Sequence, residues 1–297
     1  MSARRRLVSV AALGLPLLLS GCFVLSTTRK LPIPKAPFTI ETATGEELVA
    51  QLDQRWEKLN TLVATVDIQA SVLKSTEGVA RDYTTFRANI LLSKPEMLRV
   101  YGRVPMIGTM LFDMASDGKT FTLYIPSKTL AIKGSDTLKQ KSESQIENMR
   151  PGFFFDAMVV RGLDPADDYS RVSDSETVED PSKKHLLLTP EYELNIVRPQ
   201  EGSRELKPVR VVTFHRDDLF PSDQDLYDSE GNLETHVSYS NYRDFGFGPY
   251  PTRIVIKRPQ EDYQIVMTVE KVSENTPLTD DQFTIKVPEG TEVRQLQ

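Results

Sequence analysis

The pattern of apolar positions predicts one amphipathic helix early in the chain. Five apolar residues recur at spacings of four and three, which place them on one face of a helix over residues 46–60. Residues 44–47 fit a capping box, with Thr44 at the N-cap and Glu47 at N3, so the helix is predicted to begin just after Thr44. The apolar residues are Leu48, Leu52, Trp56, Leu59 and Val63.

From residue 62 onward the period changes to that of β-strands. In residues 84–92 one face carries apolar side chains and the other carries polar ones, and residues 209–216, 253–257 and 265–272 are also β-rich. We count about eleven candidate strands joined mostly by short turns, which indicates antiparallel neighbours. No strand–helix alternation or glycine-rich phosphate loop is present, which argues against a nucleotide-binding α/β fold.

Residues 136–162 interrupt the strands. Residues 138–149 are polar and predict a helix, and residues 151–160 predict a second, short helix that ends before Gly162. Because this second helix is apolar nearly all round, it must be buried. It is expected to cover the concave side of a curved sheet, either as a movable lid or as permanent core. The residues expected to line or cover the cavity are Trp56, Phe153, Phe154, Phe155 and Met158.

The first residues have the features of a signal peptide. Three arginines at positions 4–6 precede an apolar run at 7–19, which is too short to span a bilayer as a helix. Residues 19–22, Leu-Ser-Gly-Cys, resemble the bacterial lipobox. The resemblance implies removal of residues 1–21 and acylation of Cys22, with the covalent acyl and diacylglycerol groups as the only expected cofactor. The alternative is an ordinary secretory signal with a chance cysteine.

Residues 22–40 contain three prolines and no clear helical period, so we interpret them as an extended tether between the lipidated residue and the domain. The alternative is an ordered edge segment of that domain. The remaining residues, 41–297, are expected to form a single domain.

Composition excludes several classes of function. The chain has 297 residues with 36 Lys and Arg against 42 Asp and Glu, a net charge of −6, and no basic block for nucleic-acid binding. A single cysteine forms no internal disulfide or thiolate cluster, and His185, His215 and His236 are too dispersed for a local metal motif. Acidic runs near residues 164–168 and 223–230 are interpreted as a solvated loop and a solvated hairpin rather than a calcium site. No nucleophile motif is present, so we expect neither a catalytic residue nor a metal site, and no enzyme.

One turn places apolar residues where polar ones are usual. Residues 100–126 predict three strands, and the first turn among them contains Val104, Pro105, Met106, Ile107 and Gly108. Exposed apolar groups at a loop tip indicate contact with a membrane or an apolar ligand. The alternative is that Met106 or Ile107 folds back onto the edge of the sheet.

Together these motifs resemble the LolA/LolB family of periplasmic lipoprotein carriers and outer-membrane lipoprotein receptors. The resemblance rests on the lipobox, the helix that runs into a strand, the Arg-Val-x-Gly-x-Val-Pro-x-x-Gly turn at residues 99–108, the Asp-Gly turn at 117–118 and the segment 283–290. It implies a mainly β, unclosed half-barrel whose concave face is covered by helices and holds acyl chains. This turn has two residues between Pro and Gly, which leaves open whether Met106 or Ile107 contacts the membrane.

A lipidated member of this family resembles the receptor, which implies a monomer anchored to the periplasmic face of the outer membrane. Its expected partners are membrane lipid, acyl chains, a periplasmic carrier or other lipoproteins, and its role is to assist transfer or insertion of acylated cargo. The alternative is a structural or signalling envelope lipoprotein that docks a protein partner and fills its cavity with its own side chains.

Overall fold

The computed structural model describes residues 39–74, 79–135, 151–179 and 186–296. The signal peptide, Cys22, nearly all of the tether, the helix expected at 138–149 and His185 lie outside these residues. No helix in the described ranges is both long and apolar enough to cross a membrane.

The described chain contains two α-helices and fifteen strands. The helices are α1 (Gly45–Lys58) and α2 (Gly152–Met158). The strands of the first half are β1 (Thr61–Lys74), β2 (Val79–Asp82), β3 (Phe86–Ser93), β4 (Met97–Arg103), β5 (Met110–Ser116), β6 (Thr120–Ile125) and β7 (Leu130–Ser135). Those of the second half are β8 (Asp168–Glu179), β9 (Leu186–Pro199), β10 (Leu206–His215), β11 (Pro221–Tyr227), β12 (Leu233–Asp244), β13 (Pro249–Arg258), β14 (Tyr263–Glu274) and β15 (Glu292–Gln295).

Helix α1 begins with the capping box that the sequence predicts. The backbone N–H of Glu47 donates to Thr44 Oγ1 at 3.2 Å, and the N–H of Thr44 donates to Glu47 Oε2 at 2.7 Å. These bonds satisfy two amide groups that have no partner inside the helix. Leu48 and Leu52 are buried against the sheet, and the helix ends at Lys58, so Val63 lies in β1.

The strands form one sheet whose two ends do not meet. Its order is β15-β7-β6-β5-β4-β3-β1-β14-β13-β12-β11-β10-β9-β8, with β2 added beside β1. This confirms the mainly β, unclosed architecture. Neighbouring strands are antiparallel except that β15 is parallel to β7. The sheet has more strands than the predicted eleven, because β2 and β15 have four residues each and are too short to show a period.

The sheet curls around α2 and the residues that follow it. Arg161 contacts Glu96, between β3 and β4, whereas the adjacent Gly162 contacts Arg210 on β10. Six strand steps separate β3 from β10, which is roughly 29 Å on a flat sheet. Contacts of neighbouring residues with strands so far apart require a curved sheet with α2 on its concave side.

Two apolar clusters fill the concave side. The larger contains α2 and residues of β1, β3 to β7 and β12 to β14. The smaller contains Leu48 and Leu52 of α1 with Leu194, Val212 and Phe214 of β9 and β10. In strands such as β4 and β10, alternate residues point into these clusters, as the period of two predicts.

Candidate functional site

The turn between β4 and β5 is a well-defined loop, residues 104–109. The backbone N–H of Val104 donates to Thr109 O at 2.9 Å, and the N–H of Gly108 donates to Val104 O at 2.9 Å. Met106 has φ 65° and Gly108 has φ 75°, so two residues adopt the left-handed region that closes the turn. Backbone geometry, rather than side-chain packing, therefore holds this loop.

Both apolar side chains at the loop tip point away from the protein. Met106 is fully exposed and Ile107 has a relative exposure of 76%. They are the two most exposed large apolar residues in the described ranges, and neither packs on the edge of the sheet. Their contact with a membrane or with cargo stays a prediction, and the structure allows both of them to make it.

Helix α2 supplies the other residues expected at the site. Its four large apolar side chains are buried, those of Phe153, Phe154, Phe155 and Met158. The ring centroids of Phe155 and Trp56 lie 6.3 Å apart in an edge-to-face contact. The structure thus brings Trp56 together with α2. No hydrogen bond, ion pair or ring contact between described residues joins α2 to the loop 104–109.

The apolar part of the concave face is filled. The cavity beside α1, Met158 and Tyr250 has a volume of about 40 Å³. That is roughly the space of one water molecule, which occupies about 30 Å³ in the liquid. In the described conformation α2 therefore covers the apolar inward faces of the strands.

A larger cavity of about 450 Å³ lies beside the start of α2 and is mainly polar. Arginine and carboxylate side chains line it, together with Gln224 and Thr235. Burial lowers the pKa of the Arg210 guanidinium and raises the pKa of the Asp156 carboxyl, although Arg161 opposes the shift at Asp156. No motif in the sequence predicts this cavity.

One signal in the sequence points to the polar cavity. Arg210, Val212 and Phe214 alternate along β10, so Arg210 occupies a position where the period predicts an apolar residue. Arg258 continues the inward positions of Ile254 and Ile256 on β13 in the same way. A charged residue in register with core positions marks a polar end of the concave face.

The acidic residues 164–168 are part of this region. Asp167 is buried and its Oδ1 accepts a hydrogen bond from Arg198 Nε at 2.6 Å. The interpretation of this run as a solvated loop is therefore wrong for Asp167, because β9 supplies a cation that sequence spacing does not reveal.

Three residues on the opposite face resemble a catalytic relay. His236 Nδ1 lies 2.6 Å from Asp225 Oδ1, and its Nε2 lies 3.1 Å from Ser238 Oγ. A serine nucleophile also needs oxyanion donors. Ser238 lies on β12, which pairs with a strand on each side. The N–H groups of β12 are therefore engaged in the sheet and do not serve as oxyanion donors.

Among the described residues, no group of three or more His, Cys, Asp or Glu is arranged to hold a metal ion.

An open, curved antiparallel sheet with helices across its concave face is the architecture that the sequence motifs imply. The fold is the mainly β, unclosed half-barrel that the resemblance to the LolA/LolB family implies.

Comparison with solved structures finds proteins of similar chain path. A LolA superfamily protein from Nitrosomonas europaea is 15% identical with a TM-score of 0.49, and the match covers 82% of this chain and 99% of that one. A DUF1329 family protein from Desulfovibrio piger is 14% identical with a TM-score of 0.46, covering 81% and 95%. At these values the similarity says nothing about what this protein binds. No family model and no curated protein matches the sequence.

Proposed function

We propose that this protein is an envelope lipoprotein that binds acyl chains of lipids or lipoproteins on its concave face and assists their transfer into a membrane. The proposal includes an anchor at Cys22 on the periplasmic face of the outer membrane, and no enzymatic step. The observation that carries it is the exposed pair Met106 and Ile107 at the tip of the loop 104–109. Apolar side chains held in water at a loop tip are stabilised when they enter an acyl layer.

The interior of the half-barrel supports the same function. The inward faces of the central strands are apolar, and the short helix α2 covers them with five buried side chains. An unclosed sheet needs such a cover, which either a helix or a ligand provides. An acyl chain would take the place of α2, so uptake requires α2 to move.

A lipid anchor would hold the protein on vesicles whether or not the loop contacts them, so vesicle binding alone does not test the loop. Photocrosslinking reports the contact of the loop with acyl chains directly. A photoreactive residue replaces Ile107 in the full chain, and the protein is placed in vesicles whose phospholipids carry labelled acyl chains. We expect crosslinks from position 107. A photoreactive residue at Val172, which is exposed on the edge strand β8, is the matched control and should give none.

Substitution of the loop tip tests the strength of the contact. Burial of two such side chains contributes roughly 3–6 kcal/mol. A photoreactive residue at Pro105 gives the readout, and M106D/I107D should lower its crosslinking to acyl chains at least tenfold. Equal crosslinking from positions 107 and 172 would show that the loop has no special access to acyl chains.

One observation favours a second function, that of a structural or signalling lipoprotein that docks a protein partner. The small apolar cavity of about 40 Å³ supports a concave face whose apolar part is filled by its own side chains. This candidate predicts that the protein purified from its own envelope carries no bound lipid and takes up no acyl probe. Stoichiometric lipid in the mass spectrum of the extracted protein would exclude it.

A further inference from the structure

The polar cavity beside α2 contains paired charges in a regular arrangement. Three of its arginines each form ion pairs with two carboxylates. In each case the nearer carboxylate is also the less exposed of the two. The second carboxylate is 42–55% exposed, and it lies clearly farther away at Arg161 and Arg198 but at nearly the same distance at Arg258. The close pairs are Arg161–Asp156 at 2.6 Å, Arg198–Asp167 at 2.6 Å and Arg258–Glu261 at 3.1 Å. The looser pairs are Arg161–Glu96 at 3.2 Å, Arg198–Asp164 at 3.4 Å and Arg258–Glu234 at 3.2 Å.

Arg210 differs from the other arginines. It is only 6% exposed, and no carboxylate of a described residue lies within 4.0 Å of it. One guanidinium nitrogen donates to Gly162 O at 2.5 Å. A guanidinium has five N–H donors. None of the Arg210 nitrogens is among the fully buried polar atoms without a partner, and Arg210 lines the cavity.

The charge balance selects the kind of ligand. With Arg210 included, four arginines stand against six carboxylates, an excess of two negative charges, and the looser carboxylates Glu96, Asp164 and Glu234 line the cavity. A purely anionic ligand would be drawn to Arg210 but repelled by these carboxylates. A ligand with an anionic group and an ammonium group satisfies both. A volume of about 450 Å³ is sufficient for a small polar group of this kind.

We propose that this cavity binds a phosphoethanolamine group, with its phosphate on Arg210 and its ammonium on the looser carboxylates, foremost Glu234. The planar fork of an arginine matches two phosphate oxygens. This inference rests on the proposed function, because it names the polar group of the lipid whose chain would lie under α2. The same group also occurs in soluble phosphoethanolamine esters.

Titration calorimetry of the full chain with O-phosphoethanolamine, inorganic phosphate and ethanolamine tests the two halves of the site separately. O-phosphoethanolamine should bind at least tenfold more tightly than either fragment. Arg210→Met should weaken the binding of phosphoethanolamine and of phosphate at least tenfold each, because both ligands lose a charged hydrogen bond. Glu234→Gln should weaken the binding of phosphoethanolamine but not that of phosphate. Arg87→Met, which removes an exposed arginine paired with Asp67 on another part of the sheet, is the control and should change neither.

Arg210→Lys keeps the experiment decisive if Arg210→Met does not fold. It retains the charge but loses the fork, so phosphoethanolamine should bind severalfold more weakly than to the native chain. Native affinity in Arg210→Lys and in Glu234→Gln would overturn the assignment, as would a native chain that does not bind O-phosphoethanolamine.

The source of the group is tested with vesicles. The quaternary ammonium of phosphatidylcholine has no N–H donor for the carboxylate. The protein should therefore be retained more strongly on phosphatidylethanolamine vesicles than on phosphatidylcholine vesicles if the ligand is a lipid headgroup, and Glu234→Gln should abolish this difference. Binding of the free ester without such a difference identifies a soluble ester. Crosslinking from position 107 does not depend on this cavity, so failure of the headgroup site and failure of the proposed function are distinguishable.

Discussion

In the proposed function, binding of an acyl chain by the concave face would be an exchange with α2, and the packing of α2 sets the chain length at which that exchange would become favourable. Phe153, Phe154, Phe155 and Met158 are between 2% and 6% exposed. Burial contributes about 1.5–3 kcal/mol for each large apolar side chain, so these four contribute roughly 6–12 kcal/mol. An acyl chain gains about 0.8 kcal/mol per methylene, which is about 13 kcal/mol for a palmitoyl chain and about 6 kcal/mol for an octanoyl chain. We expect palmitoyl chains to bind and octanoyl chains not to.

Phe155→Ala should move this threshold toward shorter chains. The substitution removes about 3 kcal/mol from the packing of α2, which equals the gain from about four methylenes. A lauroyl chain should then bind the variant about as tightly as a palmitoyl chain binds the native protein. For any one chain length the affinity should rise about a hundredfold.

The chain carries its own reporter for this exchange. Trp56 is the single tryptophan, and its ring contacts that of Phe155. Its fluorescence should change when a fatty acid displaces α2, and titration with fatty acids of eight to sixteen carbons gives the affinity at each length. The native protein and Phe155→Ala are titrated in parallel.

Phe214→Ala is the matched control. Phe214 is fully buried but packs in the smaller cluster with Leu48 and Leu52 of α1. Its loss should lower the free energy of unfolding by a similar 3–5 kcal/mol without changing the acyl threshold. Equal shifts of the threshold in the two variants, or equal affinity of the native protein for octanoyl and palmitoyl chains, would refute the exchange reasoning.

Two further predictions concern stability and pH. A Cβ at Gly102 would lie 2.7 Å from Phe112 Cε1 and 3.1 Å from Phe86, so Gly102→Ala should lower the unfolding free energy in urea by about 1–3 kcal/mol, whereas Gly152→Ala, which meets no atom, should not. The hydrogen bond that the His215 imidazole donates to Glu191 raises the pKa of His215, so this pair stabilises the fold fully below about pH 6.5 and its contribution is lost as pH rises through the folded pKa. Glu191→Gln should lower that pKa in an NMR titration of the imidazole, and an unchanged pKa would contradict the assignment.

Local patterns predicted the elements that depend on neighbouring residues. The capping box at Thr44 involves residues three apart, and the buried α2 follows from its continuous apolar run. The alternation in β3 predicted which residues face the core. The strand count was too low where strands are short, as in β2, or carry polar residues on both faces, as in β8.

The polar cavity was beyond prediction from spacing, because distant segments build it. Arg210 and Gly162 are 48 residues apart, and Arg161 and Glu96 are 65 apart. Only the curvature of the sheet brings them together. The exposure of Met106 and Ile107 was left open for a different reason. Their composition allows packing on the sheet, and the backbone conformation of the turn decides against it.

The two helices that cover the sheet differ in how freely each could leave it. Helix α1 runs into β1 with two residues between them, and Arg55 donates to Pro249 O at 3.0 Å, so its departure would disturb the central strands. Helix α2 is held by its apolar side chains and by hydrogen bonds from Tyr250 to Met158 O at 2.8 Å and from Gln224 to Asp156 O at 2.9 Å. It is also held by the ion pair of Asp156 with Arg161, which follows the helix.

The residues after α2 are fixed separately from the helix itself. The N–H of Leu163 donates to Asp53 Oδ1 on α1 at 2.7 Å, and Arg210 holds Gly162. Displacement of α2 therefore requires rotation about residues 159–161, between the helix and this fixed point. A chain that enters under α2 would leave α1, the strands and the Arg210 contact in place. For this reason α2, and not α1, is the cover that an acyl chain would replace.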